Sequence, residues 1–244
     1  MAIKINDVTF DRNLTELVGT ATKYTNKSLK LTLRFSSILF FLSFVCGCVA
    51  PLPEPDKGAF YRESFESKSL PASFTVITGQ VNIKRGEKNS YAVLQPDSKE
   101  TVGILFGPAF SSGLRLEARF LAEDGEKSST FAVGLNGLSG YKLRVNPNKQ
   151  TLELLSNNAL VHSVKYEWSA GQWTYLHLQV RELPGRQWLV EGKVWQEKQA
   201  KPKEWTLQWT DTARPQNGQP SAWATLKKGN PIALDNIRLW ITEE

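Results

Sequence analysis

Short runs in which apolar and polar residues alternate with a period of two constrain this chain more than any other feature. In GLRLEARFLAED, Leu114, Leu116, Ala118 and Phe120 fall on one side while Arg115, Glu117 and Arg119 fall on the other, the pattern of a strand with one buried face. YKLRV sets Tyr141, Leu143 and Val145 against Lys142 and Arg144, and WTYLHLQVRE sets Leu176, Leu178 and Val180 against Tyr175, His177 and Gln179. Between such runs stand RGEKNS, EDGEKSS, NPNK, SNNA, LPGR and QNGQP, rich in the Gly, Pro and Asn that turns require. No long helical periodicity and no internal repeat occur after residue 60. The spacing predicts an all-β domain over residues 61–244 with about a dozen short strands. That is too many for a minimal immunoglobulin sandwich and suits an antiparallel two-sheet jelly roll.

The first 60 residues follow a different rule. Lys27, Lys30 and Arg34 precede the apolar run from Phe35 to Val45, a basic region and a hydrophobic region in the order of a secretory signal peptide. The run is shorter than the roughly 20 residues needed to span a bilayer. It closes on Val45, Cys46, Gly47 and Cys48, which resembles the lipobox of bacterial lipoproteins. The resemblance implies removal of residues 1–47 and lipidation of Cys48, palmitate included, with membrane lipid as the partner. A Cys46–Cys48 disulfide would close a very tight loop, and a metal site would need ligands that the apolar flanks do not offer. The 26 residues ahead of Lys27 are unusual for a signal peptide, and translation is expected to start later, at a codon such as that of Val18 or Leu29.

Residues 48–60 carry Pro51, Pro53 and Pro55, a stiff spacer suited to a tether. Val49 follows the lipidated cysteine where Asp would retain a lipoprotein in the inner membrane, so the expected location is the outer membrane of a Gram-negative envelope. Charge agrees with a split chain. The net charge is +6, but residues 1–47 hold six Lys/Arg against three acids and leave 24 basic against 21 acidic side chains. The domain lacks the concentrated basic excess expected of a nucleic-acid binder.

Several stretches taken in order carry a second resemblance. RESFESKSLPASFTVITGQVNI, GYKLRV, GQWTYLHLQV, EGKVWQEKQAKPKEWTLQWTD and GQPSAWATLKKGNPIALDNIRLW resemble the concanavalin A-like lectin/glucanase sandwich, in particular its laminin-G-like and DUF1080 (3-keto-disaccharide hydrolase) branches. The resemblance implies an opening Phe-containing strand paired with the closing DNI strand, a Gly-Tyr strand in mid-sheet and a Trp at the head of a central strand. It also implies a calcium site tying the terminal strands, with Asp235 and Glu66 (or Glu63) as ligands; the alternative is that Asp235 accepts backbone hydrogen bonds at a turn. No cofactor is required.

Catalytic signatures are sparse. The chain has two histidines, His162 and His177, and neither a G-x-S-x-G elbow nor a phosphate loop. Glycoside hydrolysis needs two carboxylates about 5 to 10 Å apart, and the Glu-x-Asp-x-x-Glu triplet of glucanases is missing. Glu117 with Glu123 or Asp124 runs from a strand into a turn, where acids commonly face solvent, and Glu153 stands alone among leucines. Aromatic residues say more, since all eight tryptophans fall between Trp168 and Trp240 and flat rings suit the apolar faces of sugars. Trp173, Tyr175, Trp188, Trp195 and Trp223 are the candidate platforms, with Arg144, His177 and Gln179 as hydrogen-bonding neighbours. Trp205, Leu207 and Trp209 alternate like a core-facing strand. The favoured reading is a lipid-anchored protein that binds an oligo- or polysaccharide as a lectin does, without catalysis. A glycoside hydrolase or lyase and an envelope scaffold are the alternatives.

Overall fold

The computed structural model describes residues 58–87, 89–97, 100–123, 129–226 and 230–242. Fifteen strands and no helix are found there, arranged in two antiparallel sheets. The first sheet contains β1 (Tyr61–Glu63), β3 (Gln80–Arg85), β4 (Ser90–Gln95), β6 (Leu114–Leu121), β11 (Thr174–Leu183), β12 (Gln187–Gln196), β13 (Leu207–Asp211) and β15 (Ile232–Ile241). Its order is β13-β12-β11-β6-β15-β4-β3, with β1 also paired to β15. The second contains β2 (Thr75–Thr78), β5 (Thr101–Leu105), β7 (Thr130–Leu135), β8 (Tyr141–Asn146), β9 (Thr151–Ser156), β10 (Ala159–Lys165) and β14 (Ser221–Thr225), in the order β10-β9-β8-β7-β14-β5-β2. The surplus over the expected dozen comes from short strands such as β1 and β2, too brief to show alternation.

Alternation fixes which residues form the core. Leu116 and Phe120 of β6, Leu176 and Leu178 of β11, and Leu234 and Leu239 of β15 are fully buried against Ile104, Phe131, Val133 and Leu143 of the other sheet. Phe120 and Phe131 stack across the interface with centroids 5.1 Å apart. Burying side chains of this size contributes about 1.5–3 kcal/mol each. Local turn chemistry sets the registers. Asn157 and Asn158 both take positive φ (51° and 62°) between the paired Ser156 and Ala159, the geometry of a two-residue hairpin that Asn tolerates.

Three features of the resemblance are present, although the opening strand ends before Phe65. Glu63 of β1 pairs with Ile237 of β15, the Tyr141 strand lies inside its sheet, and Trp173 precedes the central β11. Two aromatic assignments are corrected. Trp188 is 5% exposed and belongs to the core, so it has no ring face to offer a ligand. It stands seven residues from Trp195 on one strand, and an odd separation puts the two on opposite faces. Trp205 is not in the core strand. It precedes β13 and packs on the outer face of the first sheet, its ring centroid 5.5 Å from that of His177.

Candidate functional site

Each sheet presents an outer face, and the candidate residues divide between them. On the first sheet, cross-strand pairing aligns outward side chains in rows. Asp235, Arg119, Tyr175 and Trp195 form one row; Arg238, Glu117, His177 and Lys193 form the next; Trp240, Arg115, Gln179 and Glu191 form a third. A bulge in β15 makes this possible. Asn236 takes φ 52° and the register shifts between Asp235 and Arg238, so Ile237 and Leu239 stay inside while Arg238 arrives beside Glu117.

Glu117 is therefore not a solvent-facing acid. It is buried, accepts a 2.9 Å hydrogen bond from His177 Nδ1, and lies 3.3 Å from Lys201 Nζ and 3.5 Å from Arg238 Nη1. Burial alone would raise its pKa. The His177 hydrogen bond and the charges around it, Lys201 among them, prevail and hold it down to about 2. Burial pushes His177 down, helped by Lys201 and Arg115 and opposed by Glu117, and its Nδ1–H donates to the carboxylate. Residues 197–206 fold back over this face. Lys193 Nζ holds the carbonyls of Pro202 and Lys203, and the His177 ring is covered by Trp205 and Trp240. The other acids are likewise engaged. Glu191 accepts from Gln179, Arg181 and Gln208.

The tryptophans here already have partners. Trp195 stacks on Tyr175 at 5.0 Å with rings 2° from parallel, and Arg119 lies over Trp173, Arg115 over Trp240 and Lys193 over Trp205. Cations over ring faces add to stability.

Asp235 and Glu66 do not fit a calcium ion. Asp235 Oδ2 accepts from Arg119 Nη2 at 2.6 Å and Asn89 Nδ2 at 2.9 Å, and Oδ1 accepts the Asn236 N–H at 2.7 Å. Calcium needs about six to eight oxygens, whereas these carboxylate oxygens face donors, one of them cationic. Asp235 in turn raises the Arg119 pKa against the opposing effect of burial. Glu66 accepts the Ser90 N–H. No group of three or more His, Cys, Asp or Glu gathers among the described residues.

The second sheet's outer face is more open. Pairing puts Gly103, Trp223, Ala132, Arg144 and Glu153 in one row across β5, β14, β7, β8 and β9. Trp223 lies over Gly103 so closely that a Cβ there would come within 2.2 Å of the indole. Its Nε1 donates to Ser221 Oγ at 2.9 Å. Small residues on both sides, Gly103 and Ala132, leave a cleft of about 390 Å³ lined by Trp223, Lys142, Arg144, Asn158, Leu138 and Ile77 among others. Lys142 Nζ sits 3.9 Å from the Trp223 ring centroid and donates to Asn158 Oδ1 at 2.7 Å. Glu153 is not alone among leucines. It is buried and accepts from Arg144 Nε at 2.8 Å and Asn146 Nδ2 at 3.1 Å. Arg144 and Trp223 thus come together, while Trp173, Tyr175, His177 and Trp195 lie on the other sheet. Lys142, Asn158 and Gly103 escaped sequence reasoning, although Lys142 shares the parity of Arg144 within YKLRV. Cys48 lies outside the described residues.

No family model matches the chain, and no curated protein matches it. Solved structures do. The marine PL-14 alginate lyase from Aplysia kurodai aligns with TM-score 0.54 at 10% identity over 75% of this chain and 99% of that one. A beta-1,3-glucanase from Mycobacterium marinum gives 0.52 at 12% identity over 75% and 98%. The Ca2+-bound VIP36 exoplasmic/lumenal domain gives 0.52 at 11% identity over 75% and 90%. Identities this low speak for the fold alone. The fold is the concanavalin A-like two-sheet sandwich that these three structures share.

Proposed function

We propose that this protein is a lipid-anchored envelope component whose sandwich binds carbohydrate without catalysis, through the cleft on the outer face of the second sheet. The observation that carries the reading is the cleft itself. A tryptophan is fixed by its glycine bed, amide and ammonium groups stand around it, and no carboxylate is among the described lining residues. Sugar sites combine an apolar ring with a few placed polar groups in this way. A second cleft of about 290 Å³ on the first sheet, near Tyr91 and Val93, has one acid, Glu123, among its described lining residues. Hydrolysis needs a free pair of carboxylates at a cleft. Glu117, Asp235 and Glu191 line neither one, and each is held by cations and hydrogen bonds.

A glycan array with the purified full chain tests this. Wild type is expected to retain a defined set of saccharides, Trp223→Ala to lose them, and Trp173→Ala, on the opposite sheet, to keep them. Uniform absence of binding by the wild type, or loss in Trp173→Ala with retention in Trp223→Ala, would move the function elsewhere.

A further inference from the structure

We infer that the second-sheet cleft takes an acidic saccharide, one carrying uronate carboxylates, with Lys142 as the group that reads the charge. This deepens the carbohydrate reading and rests on it. The first observation is an imbalance of charge. Among the described residues, Lys142, Arg144 and Lys149 are the cations at this part of the face, and the buried Glu153 is the carboxylate paired there, held by Arg144 and, at 3.9 Å, by Lys149. Lys142 has no carboxylate within ion-pair distance among the described residues; its partners are the Asn158 amide oxygen and the Trp223 ring. A half-buried ammonium balanced only by an amide oxygen and a ring is under-compensated. Burial and the neighbouring Arg144 both push its pKa down, the direction expected where a negative charge is wanting.

The second observation concerns donors and acceptors. A neutral sugar presents many hydroxyl protons and is commonly held by carboxylates that accept them. This lining offers Lys142 and Arg144, which only donate, an Asn158 oxygen already engaged by Lys142, and the hydroxyls of Thr101, Thr130 and Thr225. Such a surface is rich in cationic donors and holds no anionic acceptor among its described residues. Its complement is an acceptor-rich ligand, and a carboxylate on a pyranose ring supplies that while leaving the ring's apolar face for the indole. Lys142 lies within reach of both parts, since its ammonium rests on the Trp223 ring.

Equilibrium binding of the full chain to oligogalacturonate and oligomannuronate, and to the same oligomers after carboxyl reduction, tests the inference. At least one uronate oligomer is expected to bind roughly tenfold or more tighter than its reduced form, the scale of one charge-assisted hydrogen bond, with an affinity that falls as salt rises. Lys142→Met should erase that preference and Lys142→Arg should keep part of it, both with the wild-type melting temperature. Equal binding of acidic and reduced oligomers, or an unchanged preference in Lys142→Met, would overturn the acidic specificity while leaving carbohydrate binding intact. Binding of inorganic phosphate or anionic vesicles but no uronate would also overturn it. Binding of no saccharide of any kind would remove the carbohydrate reading as well.

Discussion

Glu117 shows what a buried charge does on a sheet's outer face. It shares its row with Arg238, His177 and Lys193, and receives Lys201 from residues 197–206, so its ionised form is held by hydrogen bonding and charge from several sides. Its folded pKa, about 2 against an ordinary 4.5, lies below the unfolded value. The resulting stabilisation is fully present above pH 4.5 and is lost as pH falls through about 2; the shift corresponds to roughly 3 kcal/mol. Glu117→Gln leaves the cations without their counter-charge and should cost about 3–5 kcal/mol at neutral pH. Denaturant melts at pH 7, 4.5 and 2.5 should show the variant losing less than wild type on acidification. Parallel acid limbs in the two proteins would show that the carboxylate contributes nothing to acid sensitivity. The same low pKa disqualifies Glu117 as a general acid, which must hold its proton near working pH.

At the scale of the strand, the bed beneath Trp223 can be tested through β5. Gly103→Ala places a methyl group inside the indole's present position. The ring can swing outward at a cost of about 1–3 kcal/mol, but it then leaves Ser221 and Lys142. Saccharide binding should fall at least several-fold while the domain remains folded, measured by calorimetry beside a thermal melt. Full affinity in Gly103→Ala would show that the indole need not lie flat to work.

This scale also separates what was legible in the chain from what was not. Parity within a strand is a local property, so the inward set Leu114, Leu116, Ala118 and Phe120 and the outward set Tyr175, His177 and Gln179 could be read directly. Parity would also have separated Trp188 from Trp195, a signal present in QWLVEGKVWQ. The rows were hidden because they depend on which strands become neighbours. Glu117 meets His177 across 60 residues and Arg119 meets Asp235 across 116, and no spacing rule foretells those pairings. Trp205 differs for a related reason, since its alternation with Leu207 and Trp209 does not reach back past the start of β13, where the chain still crosses the outer face. Asp235 was noticed for its acid, but its neighbour Asn236 does the structural work by taking positive φ at the bulge.

For the whole molecule, the proposed anchor and the proposed cleft make separable claims. The anchor rests on Val45, Cys46, Gly47 and Cys48, which lie outside the described residues, and among those described no helix is long and apolar enough to cross a membrane. Cys48→Ser should abolish incorporation of labelled palmitate and shift the protein from the membrane to the soluble fraction, leaving saccharide affinity unchanged. Retention in the membrane at unchanged mass would remove the lipoprotein assignment and leave the cleft untouched.

β15 joins the two parts of the first sheet from the far end of the chain. This last strand is threaded into the middle of the first sheet, with β6 on one side, β4 and β1 on the other, and Ile232, Leu234, Ile237 and Leu239 filling the interior. A chain delivered from its N-terminus, by a ribosome or through a pore, has no continuous first sheet until those ten residues emerge. Until then β4 and β6 present unpaired edges, the condition that invites association with other chains. The first sheet of this domain thus becomes continuous only once its C-terminal strand is available.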